Sequence, residues 1–195
     1  TGRAILGLTP HSGTSTAKRL EFDGIDLRNA TPAQWRALRG ARMSMVMQDP
    51  KFSLNPVMTI GRQLIEAARR VSSRAEARDK ATAMLEAVQI RDPARVMAAY
   101  PHELSGGMGQ RAMIAMMLIT EPDLLIADEP TSALDVTVQI EVLRILDDLV
   151  TDRGMGLIFI SHDLRLVSSF CDRVLVMYAG RVVEELRASD LGAAQ

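Results

Sequence analysis

The chain has 195 residues and a mass of 21.4 kDa, is 47% hydrophobic and 24% charged, and sets 23 Lys and Arg against 24 Asp and Glu for a net charge of -1. That balance excludes a disordered polyelectrolyte and a nucleic-acid binder driven by bulk charge, while the length allows a sizeable core. The longest strongly apolar run, residues 112–119, is far short of the roughly 20 residues that span a bilayer, and the single Cys171 excludes an internal disulfide or a cysteine metal cage, so any membrane role is expected to be peripheral.

In chain order, Ala4, Ile5 and Leu8 read as a helix already under way at the first residue. Residues 20–27, split by Asp23-Gly24, predict a small β hairpin. The apolar run at 42–47 predicts a buried strand. From 60 to 89 no strand-like run occurs, and Ala77, Ala81, Met84, Leu85 and Val88 recur at helical spacing, which predicts a helical insertion. Ser105 sits where an N-cap belongs, ahead of the apolar helical stretch 113–119. A strand is predicted at 124–128. A helix follows, with Val138, Val142, Ile145 and Leu149 on one face and Gly154 at its end. Strands at 156–161 and 173–178 flank a helix at 163–170, and Ala179-Gly180 suggests a second hairpin. The alternation of strand and helix argues for an α/β fold with a parallel sheet, whose ligand sites lie beyond the carboxyl ends of the strands.

Two segments carry chemistry. Leu124 to Pro130 is an apolar strand that delivers Asp128 and Glu129 to the carboxyl edge of the sheet, where the proline prevents further ladder pairing. Adjacent acids at a strand end suit a magnesium nucleotide: Asp128 could hold Mg²⁺, directly or through water, and Glu129 could deprotonate a water attacking a γ-phosphate. The same pattern also fits a buried strand that simply reaches a polar turn. In Leu104-Ser105-Gly106-Gly107-Met108-Gly109-Gln110-Arg111, the two glycines remove side chains that would keep a phosphate away from the N–H groups of a helix's first turn. Its ordinary alternative is a flexible loop before a core helix, with Ser105 as a plain cap.

In this order and spacing the motifs resemble those of the ATP-binding subunits of ABC transporters: residues 104–111 the signature, 124–130 the Walker B strand, Ser132-Ala133-Leu134-Asp135 the D-loop, His162 the switch histidine and Gln48 the Q-loop glutamine. The resemblance implies a P-loop NTPase-like nucleotide-binding domain over residues 1–195, with a mainly parallel core sheet and a helical subdomain with the Q-loop insertion at about 49–104. It further implies Glu129 and His162 as catalytic residues and Gln48, Ser105, Gly106, Gly107, Met108, Asp128 and Asp135 as nucleotide contacts, with Asp128 and Gln48 serving Mg²⁺. The implied partners are transmembrane permease subunits, a second ATPase subunit and, indirectly, a solute-binding protein, with no nucleic acid. The implied location is the cytoplasmic face of the inner membrane.

The phrases Gln48-Asp49-Pro50, Ser53-Leu54-Asn55-Pro56 and Tyr100-Pro101-His102-Glu103-Leu104 are similar to those of the dipeptide, oligopeptide and nickel importer group. The sequence departs from the family at two points. No G-x-x-x-x-G-K-[ST] phosphate loop occurs; relatives carry it just before a helix resembling residues 1–8. The chain is therefore expected to be N-terminally truncated and to bind ATP weakly or not at all by itself; the function expected is that of an ATP-hydrolysing subunit of a peptide importer, with a non-catalytic partner subunit as the alternative. Gly109 stands where relatives carry a long, often basic side chain, and glycine inside a helix costs about 1 kcal/mol relative to alanine.

Overall fold

A computed structural model describes residues 1–10, 12–47, 53–131 and 134–193, and divides into two compact units, residues 1–158 and 159–195. In the first unit, helix α1 (Gly2–Ile5) stops earlier than the spacing of Ala4, Ile5 and Leu8 predicts. Gly7 turns left-handed at φ +63°, and a Cβ there would lie 2.6 Å from Nη2 of Arg39. That guanidinium donates to the Leu6 carbonyl at 2.7 Å and the Gly7 carbonyl at 2.8 Å, which closes the helix end and leaves Leu8 exposed in the loop.

Strands β1 (Glu21–Phe22) and β2 (Ile25–Asp26) form the expected hairpin, with left-handed Asp23 and Gly24 at its tip. Helix α2 (Pro32–Leu38) starts at a reciprocal cap: Gln34 N–H donates to Thr31 Oγ1, and Thr31 N–H donates to the Gln34 side chain. Strand β3 (Met43–Val46) is buried throughout and pairs in parallel with β4 (Leu124–Asp128) in the register Met43 to Leu124 and Val46 to Ala127. With β5 (Gly156–Ile160) they form a sheet in the order β3-β4-β5. Arg42, just before β3, ties this region together. Its guanidinium meets Asp123 at 2.6 Å and Asp23 at 2.8 Å.

The predicted helical insertion holds α3 (Ile60–Ala68), α4 (Glu76–Ala87), α5 (Pro93–Ala98) and a 3₁₀ turn at Pro101–Glu103. Ala77, Ala81, Met84, Leu85 and Val88 face the core, as their spacing implies. Gly61 lets α3 and α5 approach, since a Cβ there would lie 2.6 Å from the Met97 carbonyl oxygen. The core centres on α6 (Gly106–Leu118), whose Ala112, Met113, Ile114, Ala115 and Leu118 are sealed from solvent. Helix α7 (Val136–Arg153) buries Val142, Leu143, Ile145 and Leu146 and ends at left-handed Gly154.

In the second unit, α8 (Leu164–Phe170) starts at Asp163, whose carboxylate accepts from Arg165 N–H at 2.9 Å. Strands β6 (Arg173–Tyr178) and β7 (Arg181–Arg187) pair antiparallel around the turn at Ala179-Gly180. The second hairpin expected at Ala179-Gly180 thus forms, with both residues at positive φ turning the chain straight back. Val167, Val174 and Ala188 form a small core, with Phe159, Leu186 and Leu191 packed against it.

Candidate functional site

β4 is apolar and sealed at Leu125, Ile126 and Ala127, then surfaces at Asp128. Its hydrophobic pairing with β3 drives it into the core, and the switch to carboxylates forces the chain to the rim. Glu129 takes φ +48°, a left-handed conformation uncommon for a residue with a Cβ. Pro130 and Thr131 then return to the interior. The turn is held from α6, where the buried Gln110 side chain donates its Nε2 hydrogen to the Pro130 carbonyl oxygen.

The amino end of α6 is capped as expected, with Met108 N–H donating to Ser105 Oγ at 3.4 Å. Its two leading glycines are not equivalent. A Cβ on Gly107 would lie 2.7 Å from Val138 Cγ1, so this glycine is required by packing of α6 on the first turn of α7. A Cβ on Gly106 would meet only Leu134 Cδ2, at 4.0 Å, so the Gly106 backbone is open to approach by an anion. Asp135 caps α7, accepting from Val138 N–H at 3.1 Å. That carboxylate therefore has a structural role whatever else it contacts.

The structure thus brings Gly106 and Gly107 beside the start of α7, with Ser105 capping the same helix end at Met108, and the second turn of α6 against the turn that carries Asp128 and Glu129. His162 lies in the second unit, exposed on the turn between β5 and α8. Gln48, Ser132 and Ala133 lie outside the described residues. Among the described residues no cluster of three or more His, Cys, Asp or Glu could hold a metal by itself. Asp128 and Glu129 instead offer the one or two hard carboxylate ligands with which Mg²⁺ is commonly held alongside phosphate and water. Cys171 takes no part: burial first, and then the Asp172 carboxylate, raise its thiol pKa and keep it a poor nucleophile.

Two residues that lie inside the 104–111 motif but were given no role there prove central. Gln110 is a buried polar position directly before Arg111 and the apolar stretch of α6. Arg111 donates to the Gln89 carbonyl at 3.0 Å and pairs with Glu141 of α7, fastening three helical segments. The sequence marks Gln110 by its place in the 104–111 motif and as an amide next to the core run at 112–119.

The sequence pattern of the ABC transporter family matches residues 3–132. The chain belongs to the ABC transporter family. This ABC transporter chain is 51% identical over 197 aligned positions to the probable peptide ABC transporter ATP-binding protein y4tR of Sinorhizobium fredii, a match covering 99% of the chain and 58% of that protein. It is 46% identical to the dipeptide transport ATP-binding protein DppD of Escherichia coli, over 93% of the chain and 56% of that protein. The chain therefore spans somewhat over half the length of these relatives. Among solved structures, cbiO1 of Clostridium perfringens, part of the ABC transporter complex cbiONQ, superposes with a TM-score of 0.80 at 27% identity, covering 98% of the chain and 73% of that protein. The ABC ATPase fold with its parallel sheet is thereby established for this chain. No helix among the described residues is long and apolar enough to cross a membrane.

Proposed function

We propose that this ABC transporter chain acts as an ATP-binding and ATP-hydrolysing subunit that energises import of di- or oligopeptides. The observation that carries the proposal is the rim of β4, where Asp128 and left-handed Glu129 emerge side by side on a turn fastened to α6. Phosphoryl transfer requires little covalent chemistry from the protein, so positioning and electrostatic stabilisation dominate. Glu129 is the group that takes the proton from the attacking water. Asp128, with Gln48, would hold the Mg²⁺ of the nucleotide, and the ion would neutralise charge developing on the phosphate oxygens. His162 would contact the γ-phosphate.

Ser105, Gly106, Gly107 and Met108 would present the open amino end of α6 to nucleotide held by a second ATPase subunit, identical or different, and Asp135 would lie at the same contact. Permease subunits, served by a solute-binding protein, would anchor the assembly at the cytoplasmic face of the inner membrane. The peptide assignment is supported by the names of the two relatives and by the Ser53-Leu54-Asn55-Pro56 phrase. The helical region at about 49–104 is assigned to the permease side. A non-catalytic partner role finds no support in relatives named as ATP-binding proteins.

The test is ATP turnover by the polypeptide as its native cell makes it. A general base contributes roughly 10²- to 10⁴-fold, so Glu129→Gln should retain ATP binding and lose turnover by about that factor. Undiminished turnover would remove Glu129 from the mechanism, and absence of ATP binding in the unaltered polypeptide would remove the function.

A further inference from the structure

We infer that Gln110 is a positioning residue for Glu129, acting through the peptide group that follows Pro130; the inference rests on the reading of Glu129 as the hydrolytic base. Gln110 is 1% exposed and stands next to Ala112, Met113 and Ile114 in the sealed part of α6. A methionine or leucine would fill that space without needing a partner, whereas a buried amide is costly unless it is hydrogen-bonded. The Gln110 amide meets this requirement by donating Nε2–H to the Pro130 carbonyl oxygen.

That acceptor belongs to the residue directly after Glu129, and this residue is a proline. The pyrrolidine ring locks φ at Pro130, so fixing its carbonyl leaves only one soft backbone dihedral, ψ of Pro130, between the anchored group and the peptide that leaves Glu129. Pro130 also has no N–H, so it cannot secure the turn by donating a hydrogen bond of its own. Glu129 holds φ +48°, a conformation that persists only when its surroundings enforce it. Farther along, the Thr131 carbonyl accepts from Leu134 N–H at 3.1 Å, and Gly107 of α6 meets Val138 of α7. The same helix therefore holds the chain at two points after the two carboxylates, at Pro130 and through Val138, and Gln110 makes the contact nearer to Glu129.

The experiment compares ATP affinity and steady-state hydrolysis for the polypeptide as its native cell makes it, unaltered and with Gln110→Met, Gln110→Ala and Gln110→Glu. Misplacing a reacting group by about 1 Å can cost roughly 100-fold in rate. The expected result is a kcat lowered roughly 10- to 100-fold in Gln110→Met, with KM and ATP Kd within about twofold of the unaltered protein. Methionine preserves the volume while removing the amide, so this variant carries the test if Gln110→Ala does not fold. In Gln110→Glu, the ionised carboxylate cannot donate, and kcat relative to the unaltered protein should recover as pH falls and the introduced carboxyl takes up a proton. Combined with Glu129→Gln, the Gln110→Met change should cause no further loss.

Full kcat in Gln110→Met would overturn the inference, as would a loss that appears in ATP affinity, or losses that multiply in the double variant. If the unaltered protein binds ATP without hydrolysing it, the hydrolytic reading of Glu129 fails and the inference falls with it. That outcome is visible before any substitution at Gln110 is made.

Discussion

Arg111 of α6 forms an ion pair with Glu141 of α7, while its Nη1 donates to the carbonyl oxygen of left-handed Gln89 at 3.0 Å. One largely buried guanidinium thereby fastens the end of α4 and the middle of α7 to the signature helix. Glu141 is half-exposed, so the pair alone contributes little, and most of the effect lies in the charged hydrogen bond to a carbonyl. Arg111→Ala should cost about 1–3 kcal/mol of unfolding free energy. Arg111→Lys should recover only part of this, because an ammonium cannot reach both partners in one planar fork. Urea unfolding of the three proteins measures both, and equal stability of the alanine and native proteins would refute the linkage.

The contrast between Gly106 and Gly107 gives a second prediction. Gly107→Ala places a methyl 2.7 Å from Val138 Cγ1 and must part the first turns of α6 and α7, an overpacking that typically costs about 1–3 kcal/mol. Gly106→Ala meets only Leu134 at 4.0 Å, so its stability should be nearly unchanged while its methyl covers the backbone proposed to meet a partner's nucleotide. Val138→Ala should relieve much of the Gly107→Ala penalty. A thermal-unfolding double-mutant cycle reads this directly, and strict additivity would show that the two residues do not clash.

Much of this arrangement was legible from spacing and local chemistry. The face of α4 from Ala77 to Val88, the cap at Ser105, the hairpin at Asp23-Gly24 and the stop at Gly154 all follow from side-chain periodicity or backbone freedom, which act over a few residues. Features set by distant partners were not legible. The early end of α1 depends on a guanidinium 32 residues away, and no local signal marks it. Helices α3 and α4 are separated without glycine or proline; the α3 end is closed instead by Arg69, Arg70 and Val71 N–H donors and by Ser72 Oγ donating to the Ala68 carbonyl at 2.8 Å. The acids of β4 and the glycines of α6 announced themselves as candidates. Gln110 stood in the same motif without a role, because a glutamine beside an apolar run reads as a solvent-facing helix position until its acceptor at Pro130 is known.

Glu121 supplies a pH dependence. The hydrogen bond from Lys80, at 3.0 Å, does most to hold its carboxyl below the ordinary range, against partial burial, with further attraction from Lys80 and from Arg153 at 3.8 Å. Because the folded-state pKa is lowered, the stabilisation is fully present above the unfolded value of 4.5 and is lost as pH falls through the folded value. The carboxylate is half-exposed, so solvent screening limits the effect to about 1 kcal/mol or less. Glu121→Gln should lower stability at pH 7 by that amount and flatten its share of the decline below about pH 4.5. An unchanged acid limb in the variant would exclude Glu121 as a contributor.

The groove between α3 and α5 leads to a prediction about coupling. Ile65, Met97 and Ala98 give it an apolar floor, and Arg62, Glu66 and Arg69 line the same opening. Beside it, Gln63 pins the loop before α3, accepting from Asn55 N–H at 2.8 Å and donating to the Asn55 and Met58 carbonyls at 3.0 and 2.9 Å. An apolar floor with charges at its edge suits an amphipathic helix, and the proposed occupant is a cytoplasmic helix of the permease. Reversing two charges with Arg62→Glu and Arg69→Glu should weaken permease association by about tenfold, equivalent to about 1.4 kcal/mol. Solute uptake should then fall more than ATP turnover, because the carboxylates of β4 lie on a different element from the groove. Uptake by the reconstituted transporter and turnover by the same preparation must be compared side by side. Parallel losses in the two would place the arginines in folding or catalysis, and unchanged uptake would leave the groove without a role in docking.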